Sequence, residues 1–155
     1  MVNKTVADFS LPATGSGSFR LSESLSGPKV KSLVLYFYPK DNTPGCTTEG
    51  QQFSDLHAQF LKAGALVFGI SRDSFKSHEN FKAKMAFPFD LISDPDEKAC
   101  SLFGVMKMKN MYGRQVRGIE RSTFVLDRTR AIQREWRGVK VPGHAQEVLD
   151  FVKTV

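Results

Sequence analysis

Cysteine is scarce in this sequence, and its scarcity argues against two classes of protein. The 155 residues contain only two cysteines, Cys46 and Cys100, which are 54 positions apart. Such a pair does not make the disulfide framework of a small secreted domain, so we expect a reducing compartment. The sequence also has no Cys-x-x-Cys motif, which argues against an enzyme that exchanges disulfides through that motif.

Long apolar segments and metal-ligand patterns are missing as well. No apolar run approaches the roughly 20 residues that a membrane-spanning helix requires, and residues 1–8 lack the apolar segment of a secretory signal. We therefore expect a cytoplasmic protein without a membrane partner. The three histidines, His57, His78 and His144, show no ligand-like spacing, so we expect no metal and no cofactor.

The composition that remains is sufficient for one domain. With 41% hydrophobic and 25% charged residues, the chain resembles an ordinary globular protein. A length of 155 residues allows one domain with its own core. No internal repeat, low-complexity tract or long linker divides the chain. We therefore predict a single domain over residues 1–155.

The net charge of +6 is unevenly distributed. Residues 105–140 carry ten basic and three acidic side chains, a charge of +7, whereas the rest of the chain has a charge of −1. A nucleic-acid-binding surface would show such an excess, but no recognition motif accompanies it and the basic residues alternate with apolar ones. We expect a solvated basic face and no nucleic-acid partner. A basic nucleic-acid-binding protein is the non-enzymatic alternative.

The order of the predicted elements indicates an α/β fold. Two apolar runs, residues 33–38 and 65–71, have the pattern of strands buried on both faces. Each precedes a helical pattern, and near the N-terminus a Gly/Ser-rich turn joins two short extended pieces. We predict a central mixed β-sheet flanked by helices, with an N-terminal β-hairpin. The later predicted elements are a strand at 87–92, a helix at 94–104, a hairpin at 122–136 and a helix at 143–152.

Cys46 has the most chemically informative position in this pattern. A loop rich in Pro, Asp, Asn and Gly links the strand at 33–38 to the helix that Cys46 begins. Unpaired backbone N–H groups and the helix dipole favour an anion there, and the thiolate is the reactive form of cysteine. Thr43, three residues earlier, can act beside the sulfur. A hydrolase that pairs Cys46 with His144 is possible on residue types alone, but nothing in the local sequence supports it.

The sequence around Cys46 resembles the active-site signature of the peroxiredoxins. The run Pro39-x-x-x-Thr43-x-x-Cys46 is similar to that signature, and the longer string at residues 37–49 resembles the bacterioferritin comigratory protein branch, also called peroxiredoxin Q. The resemblance extends over nearly the whole chain and implies a thioredoxin-like fold. The other segments that fit the family, in the expected order, are residues 7–9 with 11–12, 69–71, 94–95 with 103–105, and 121–124.

The resemblance implies a thiol-dependent peroxidase with an antioxidant role in cell redox homeostasis. Cys46 would be the nucleophile that attacks hydrogen peroxide or a small organic hydroperoxide and becomes a sulfenic acid. Thr43 would orient the peroxide, and Pro39 would shield the pocket. Arg121 would stabilise the thiolate and the transition state, because a fixed positive charge favours the charge that develops along the reacting bond.

The chain departs from this branch at the resolving cysteine. Many members carry it five residues after the first cysteine, where this chain has Gln51, and others carry it in the following helix, which has no cysteine here. We expect Cys100 to be buried beside Phe103. Thioredoxin, glutaredoxin or a low-molecular-weight thiol would then reduce the sulfenic acid in a one-cysteine mechanism. The alternative is a two-cysteine mechanism in which Cys100 resolves. The branch is commonly monomeric, so we expect a monomer.

Two other features are interpreted as structural. Three methionines, Met106, Met108 and Met111, are predicted to line a loop with Tyr112. Adaptable packing is the preferred interpretation, and a surface for a partner is the alternative. Glu49, three residues into the helix after Cys46, is expected to support the helix start, with only an indirect part in catalysis.

Overall fold

The structure is a computed structural model that describes all 155 residues, in nine strands and five helices. None of the helices has the length and apolar character that a membrane span requires. The strands are β1 (Ser10–Ala13), β2 (Gly17–Arg20), β3 (Ser32–Phe37), β4 (Ala65–Ser71), β5 (Asp90–Ser93), β6 (Met106–Met111), β7 (Arg114–Ile119), β8 (Ser122–Asp127) and β9 (Ile132–Arg137). The helices are α1 (Leu21–Ser24), α2 (Pro44–Lys62), α3 (Phe75–Met85), α4 (Lys98–Phe103) and α5 (His144–Val152).

Seven strands form the central sheet, in the order β2-β1-β5-β4-β3-β8-β9. The strands β3, β4 and β5 run parallel, whereas β1 and β8 run antiparallel to their neighbours β5 and β3. Strands β1 and β2 form an antiparallel hairpin, and so do β8 and β9. The predicted mixed sheet, N-terminal hairpin and C-terminal helix are therefore confirmed.

The central strand β3 separates two apolar cores. All six of its residues are buried, which matches its uninterrupted apolar sequence. Because side chains alternate along a strand, Leu35 and Phe37 enter one core while Val34 and Tyr36 enter the other. Residues of α1 and α4 pack in the first core, and residues of α2, α3 and α5 pack in the second. Helices therefore cover both faces of the sheet.

The segment predicted as a methionine-lined loop is instead an antiparallel hairpin, β6–β7. Met111 pairs with Arg114, so only Tyr112 and Gly113 form the turn, and both have positive φ angles, 53° and 78°. Two positive φ angles are typical of the tight turn that joins twisted strands. Alternating methionine and lysine gives little contrast between apolar and polar positions, which is why the sequence pattern did not predict these strands.

Two predicted helix starts also differ from the structure. Helix α2 begins at Pro44, two residues before Cys46. Helix α4 begins at Lys98 rather than at Asp94, because Glu97 adopts a left-handed conformation with φ of 61°. The Asp94 carboxylate still caps the N-terminus of α4, although Asp94 precedes the helix, because it accepts hydrogen bonds from the N–H groups of Lys98 and Cys100.

Candidate active site

Two distant parts of the chain meet because β3 and β8 are antiparallel neighbours. The last residue of β3, Phe37, pairs with the first residue of β8, Ser122. Since the strands run in opposite directions, the start of β8 lies beside the end of β3. Arg121 directly precedes β8, and Cys46 follows β3 after a short loop. These two residues, 75 positions apart, therefore meet at one edge of the sheet.

Cys46 lies in the first turn of α2. Pro44 occupies the first turn, where its fixed φ angle and missing N–H suit a helix start. The backbone N–H of Thr47 donates to the carbonyl of Thr43 at 2.8 Å, so the N–H of Cys46 precedes the hydrogen-bonded part of the helix. The Cys46 side chain is a free thiol that is only 2% exposed. A buried thiol therefore lies within the positive end of the helix dipole.

Arg121 bridges the thiol and a buried carboxylate. Its Nη2 donates to the Sγ of Cys46 at 3.5 Å, and its Nη1 donates to the Oε1 of Glu49 at 2.6 Å. Burial lowers the pKa of Arg121, but the charges of Glu49 and Cys46 raise it by more. The guanidinium group is therefore positive at any working pH. It places a fixed charge and a directed donor beside the sulfur.

Glu49 is more closely involved in the site than its sequence position indicated. It lies three residues after Cys46, on the same side of α2, and it is buried. Burial raises the pKa of the Glu49 carboxyl group to about 7, although Arg121 acts in the opposite direction. Its Oε2 is buried without a hydrogen-bond partner. The three-residue spacing from Cys46 was the signal that could have indicated that Glu49 lies beside the thiol.

Gly45 is a second residue that the sequence analysis missed. A Cβ atom at this position would lie 3.0 Å from Nη2 of Arg121. That distance is shorter than an ordinary van der Waals contact, so a side chain there would shift the guanidinium group by a few tenths of an ångström. The absence of a side chain at Gly45 allows Arg121 to approach the sulfur of Cys46.

The other two predicted site residues, Thr43 and Pro39, lie in the loop between β3 and α2. The half-buried Thr43 donates its hydroxyl proton to the carbonyl of Lys40, with the two oxygens 2.9 Å apart. Because this hydrogen bond uses the only proton of the hydroxyl group, the Thr43 oxygen can still accept a hydrogen bond from another group. Pro39 is half-buried and follows the fully buried Tyr38. The structure thus places both residues in the loop that leads to the thiol.

A buried polar network holds this loop against α3 and β5. Asp41 accepts hydrogen bonds from the hydroxyl of Tyr38 at 2.6 Å and from the hydroxyl of Ser77 at 2.8 Å. Its Oδ2 also lies 2.7 Å from Nδ1 of His78. The Nε2 of His78 is 2.8 Å from the carbonyl oxygen of Ile92, which can only accept, so Nε2 carries a proton. The network fixes the backbone that precedes α2.

The same network contains the cluster of side chains that could hold a metal ion. Ligand atoms of Asp41, Asp73 and His78 all lie within 4.8 Å of one another. They already bond to each other and to the backbone, because Asp73 accepts from the N–H of Asp41 at 3.0 Å. Two ligands about 2.0 Å from one tetrahedral zinc ion lie roughly 3.3 Å apart. The 2.7 Å separation of Asp41 and His78 is that of a hydrogen bond.

Comparison with known proteins identifies the family of this chain. The model of the AhpC/TSA family matches residues 2–135. The chain belongs to the AhpC/TSA family. Among curated relatives, peroxiredoxin Bcp of Xanthomonas campestris pv. campestris is 54% identical over 147 residues, which cover 95% of this chain and 91% of the relative. Peroxiredoxin Bcp of Bacillus subtilis is 46% identical over 129 residues, which cover 83% of this chain and 82% of the relative.

Solved structures agree with the family assignment. Peroxiredoxin Q of Xanthomonas campestris aligns with a TM-score of 0.86 at 52% identity, and the alignment covers 94% of this chain and 90% of that one. A cysteine mutant of PrxQ from Xylella fastidiosa aligns with a TM-score of 0.91 at 47% identity, and covers 99% of this chain and 96% of that one. The thioredoxin-like fold is thus confirmed, and the chain is a peroxiredoxin, a thiol peroxidase that takes a peroxide substrate and a thiol reductant.

The second thiol of this peroxiredoxin lies on the other side of the sheet. Cys100 packs fully buried with Phe37 and Phe103 in the core that α1 and α4 cover, whereas Cys46 packs with Tyr36 in the opposite core. Burial and the nearby Asp94 carboxylate raise the pKa of the Cys100 thiol. Cys100 is therefore a protonated thiol of the core, as its expected packing beside Phe103 indicated.

His144 of the peroxiredoxin does not pair with Cys46. Its Nε2 lies 2.8 Å from the hydroxyl of Thr123, and its ring packs edge-on against Phe53 and Trp136. Burial lowers the pKa of His144 to about 4, so the ring is neutral near neutral pH. The polar side chain that faces the sulfur of Cys46 is that of Arg121.

Proposed function

We propose that this peroxiredoxin reduces hydrogen peroxide and small organic hydroperoxides through a sulfenic acid at Cys46. The observation that supports this proposal most strongly is the guanidinium group of Arg121, which lies 3.5 Å from the sulfur and 2.6 Å from the Glu49 carboxylate. A thiolate beside a fixed cation at a helix start is the arrangement of a reactive cysteine. We also propose that the chain acts as one domain, as a monomer and in the cytoplasm.

In the proposed reaction, the Cys46 thiolate attacks the terminal oxygen of the peroxide. An S–O bond forms, the O–O bond breaks, and hydroxide or alkoxide leaves with the bonding pair and then takes up a proton. The sulfur loses two electrons and becomes a sulfenic acid, while the peroxide is reduced to water or an alcohol. Negative charge moves from the sulfur towards the leaving oxygen. Donors placed along that line therefore stabilise the transition state more than the ground state.

The residues around the sulfur supply the groups that this step needs. Arg121 and the free N–H of Cys46 would donate hydrogen bonds to the peroxide oxygens. The hydroxyl of Thr43, which donates its own hydrogen bond to the carbonyl of Lys40, would accept a hydrogen bond from the O–H of the peroxide. Pro39 would limit water access at the loop.

Glu49 would position the guanidinium group rather than react. Its short contact with Nη1 of Arg121 leaves Nη2 directed at the sulfur. A bidentate or bridging arginine loses little rotational freedom when one nitrogen is already held. The raised pKa of Glu49, about 7, means that its charge changes within the working pH range.

A relative with known chemistry supports the organic hydroperoxide part of the proposal. The bacterioferritin comigratory protein of Xanthomonas campestris, 51% identical to this chain with a TM-score of 0.86, has alkyl peroxide reduction activity. The alignment covers 94% of this chain. Similar substrates are therefore proposed here.

We further propose that the sulfenic acid is reduced by an external thiol, in a one-cysteine mechanism. The only other cysteine, Cys100, belongs to the opposite core. A disulfide requires Cα atoms within roughly 7 Å and side chains that point towards each other. Strand β3 and its neighbours would have to open before the two sulfurs could meet. Thioredoxin, glutaredoxin or a small thiol remains as the reductant.

Peroxide consumption with excess dithiothreitol tests the proposed function. The parent and Cys100→Ala are expected to turn over alike, whereas Cys46→Ser is expected to lose turnover. One equivalent of peroxide should convert one thiol of the parent to a sulfenic acid, which dimedone traps as a thioether with release of water, and intact mass should show a single dimedone adduct. Equal peroxide consumption by the parent and Cys46→Ser would contradict the assignment of Cys46.

A further inference from the structure

The outer part of the β6–β7 hairpin projects from the body of the protein. Its two strands form a sheet of their own, separate from the seven-stranded sheet. Of the ten residues 108–117, all except the half-buried Lys109 are exposed. These ten residues are named here the hairpin tip. Because successive side chains of a strand point to opposite faces, the tip is open to solvent on both of its faces.

The base of the hairpin is fixed to the rest of the fold. Met106 and the buried Ile119 pack in the first core. The amino group of Lys109 donates to the carbonyl of Ile119, and Arg117 forms an ion pair with Glu97, which directly precedes α4. These contacts hold the hairpin at its base and leave the tip extended into solvent.

The hairpin tip carries half of the large apolar side chains that the protein exposes. Met108 is 60% exposed, Met111 49%, Tyr112 100% and Val116 42%. Of the other four such side chains, three lie at the two ends of the chain. A cluster of exposed apolar side chains within one short segment marks an interaction site.

The apolar side chains surround the tip and do not share one face. Met111 lies on the face of Lys109, two residues before it, and Val116 lies there too because it pairs with Lys109. Met108 is the neighbour of Lys109 along β6 and therefore lies on the opposite face. Tyr112 belongs to the turn between the strands. A flat partner surface would cover only one of these faces, whereas a fluid medium can enclose all of them.

The charge of the hairpin has one sign. Residues 106–119 contain two lysines and two arginines but no aspartate or glutamate. Lys107 and Arg117 pair with glutamates from other parts of the chain. Lys109 and Arg114 have no carboxylate partner among the ten ion pairs. The hairpin is therefore complementary to an anionic surface.

Charge and apolar content together select one kind of surface. Tyrosine rings lie at the headgroup level of membranes, and lysine and arginine extend their charged ends towards the phosphates. A nucleic-acid backbone would pair with the cations but would leave the exposed methionines and Tyr112 in water. Two copies of this chain, each with a charge of +6, would repel each other. A bilayer with anionic headgroups fits both the cations and the apolar side chains.

We propose that the hairpin tip inserts into the headgroup region of an anionic membrane and holds the peroxiredoxin at the membrane surface. From Lys109 to Tyr112 the hairpin extends by roughly 10 Å, which matches the roughly 5–10 Å depth of interfacial insertion. Deeper insertion is opposed, because the outer edges of a two-stranded sheet carry unpaired backbone groups that hydrocarbon cannot satisfy. The expectation of no membrane partner rested on the lack of a spanning segment, and a contact of this kind needs none.

The hairpin would also bring the active site to the membrane. Strand β7 ends at Ile119, and Arg121 follows two residues later. From Tyr112 to Arg121 an extended chain spans roughly 30 Å at most, so insertion of the tip would keep Cys46 near the bilayer surface. A hydroperoxide that leaves the bilayer would then have a short path to the thiol. This last consequence rests on the proposed function, whereas membrane binding itself does not.

Cosedimentation with lipid vesicles tests the apolar part of the contact. The vesicles contain phosphatidylcholine alone or phosphatidylcholine mixed with phosphatidylglycerol. Met111→Thr/Tyr112→Asn removes two apolar side chains without a change in charge, and asparagine tolerates the positive φ of 53° at position 112. Leu61→Gln is the matched control, because Leu61 is also 49% exposed but lies in the last turn of α2.

A second pair of variants tests the charge. Arg114→Gln removes a cation of the tip that has no carboxylate partner. Lys29→Gln is its control, because Lys29 is exposed and precedes the end of β3 that lies away from Cys46. Peroxide turnover with dithiothreitol, equal in all four variants and the parent, shows that each variant is folded.

We expect the parent to bind the vesicles with phosphatidylglycerol more tightly than those without it, and less tightly as salt is added. The double variant should lower the partition coefficient about tenfold and Arg114→Gln about fivefold. Both controls should stay within about twofold of the parent. A parent that does not bind these vesicles at low salt, or a double variant that binds them as the parent does, would overturn the proposal.

Two further results would assign the hairpin tip to another occupant. A dimer of the parent that the double variant loses in sedimentation velocity, without vesicle binding, would assign the tip to a second copy. Affinity for a double-stranded DNA oligonucleotide that Arg114→Gln weakens, again without vesicle binding, would assign it to nucleic acid. A parent that binds vesicles but consumes no peroxide with dithiothreitol would overturn the proposed function and leave the membrane contact intact.

Discussion

Cys46 and Cys100 lie on opposite faces of the central sheet. Cys46 packs with Tyr36, and Cys100 packs with Phe37, its neighbour along β3. Because adjacent side chains of a strand point to opposite faces, these contacts place the sheet between the two thiols. The arrangement explains how a chain with two cysteines can hold one as a reactive group and the other as part of its core.

The separation of the thiols predicts that peroxide does not join them. One equivalent of peroxide should leave the parent without an intramolecular disulfide, because β3 would have to leave the sheet before the sulfurs could meet. Intact mass with and without a reductant measures this directly. Cys100→Ala serves as the control that cannot form the link. A Cys46–Cys100 disulfide in the parent would establish the two-cysteine mechanism instead.

Arg121→Lys tests the forked geometry of the guanidinium group. Lysine keeps the positive charge but cannot bind Cys46 and Glu49 with two separate nitrogens in a fixed plane. We expect kcat/KM for hydrogen peroxide to fall by about 10² to 10³, the usual effect of losing a donor to the transition state. Arg130→Lys is the control, because the half-buried Arg130 lies in the turn between β8 and β9. Full activity in Arg121→Lys would show that charge alone is sufficient.

Gly45→Ala tests whether the close approach of Arg121 matters. The new Cβ would lie 3.0 Å from Nη2, so the flexible guanidinium group should move away from the sulfur. We expect kcat/KM for peroxide to fall about tenfold, and the free energy of unfolding to change by less than about 1 kcal/mol, because alanine is a better helix former than glycine. Chemical denaturation separates the two effects. A loss of activity that follows a loss of stability would contradict this explanation.

Glu49→Gln tests the raised pKa of the buried carboxyl group. The pKa of Glu49 in the folded state is about 7, whereas the ordinary pKa of a glutamate carboxyl group is 4.5. Above the folded-state pKa both states are ionised, whereas between the two values only the unfolded state loses its proton. The stabilisation is therefore complete below pH 4.5 and is lost as pH rises through about 7. Its size is on the order of 3 kcal/mol.

Urea denaturation at about pH 5 and about pH 8 measures this effect. The parent should lose more stability than Glu49→Gln as pH rises between these values. Burial lowers the pKa of His144 from the ordinary 6.5 to about 4, so His144 lowers stability as pH falls below 6.5, but it does so equally in both proteins. The difference between parent and variant therefore isolates Glu49. Parallel stability curves would show that Glu49 is already ionised at pH 5.

The elements nearest Cys46 were predictable because their signals are local. The uninterrupted apolar run of β3 predicted a strand buried on both faces, and all its residues are buried. The loop of Pro, Asp, Asn and Gly predicted the turn into α2. The hairpin β6–β7 was not predictable, because its alternating methionines and lysines are nearly all partly or fully exposed on both faces and show no apolar stripe.

The sequence by itself determined the strand, the loop and the motif Pro39-x-x-x-Thr43-x-x-Cys46, and it placed the helix start within two residues, because each depends on residues that are neighbours along the chain. Only the tertiary structure decided that Nη2 of Arg121 meets the sulfur of Cys46, 75 positions away in the chain. The same holds for the hydrogen bond from Nη1 of Arg121 to the buried Glu49. It also decided that Cys100 lies beyond the sheet. Those relations depend on which strands pair and on which face each side chain enters, and both are settled by packing between distant segments.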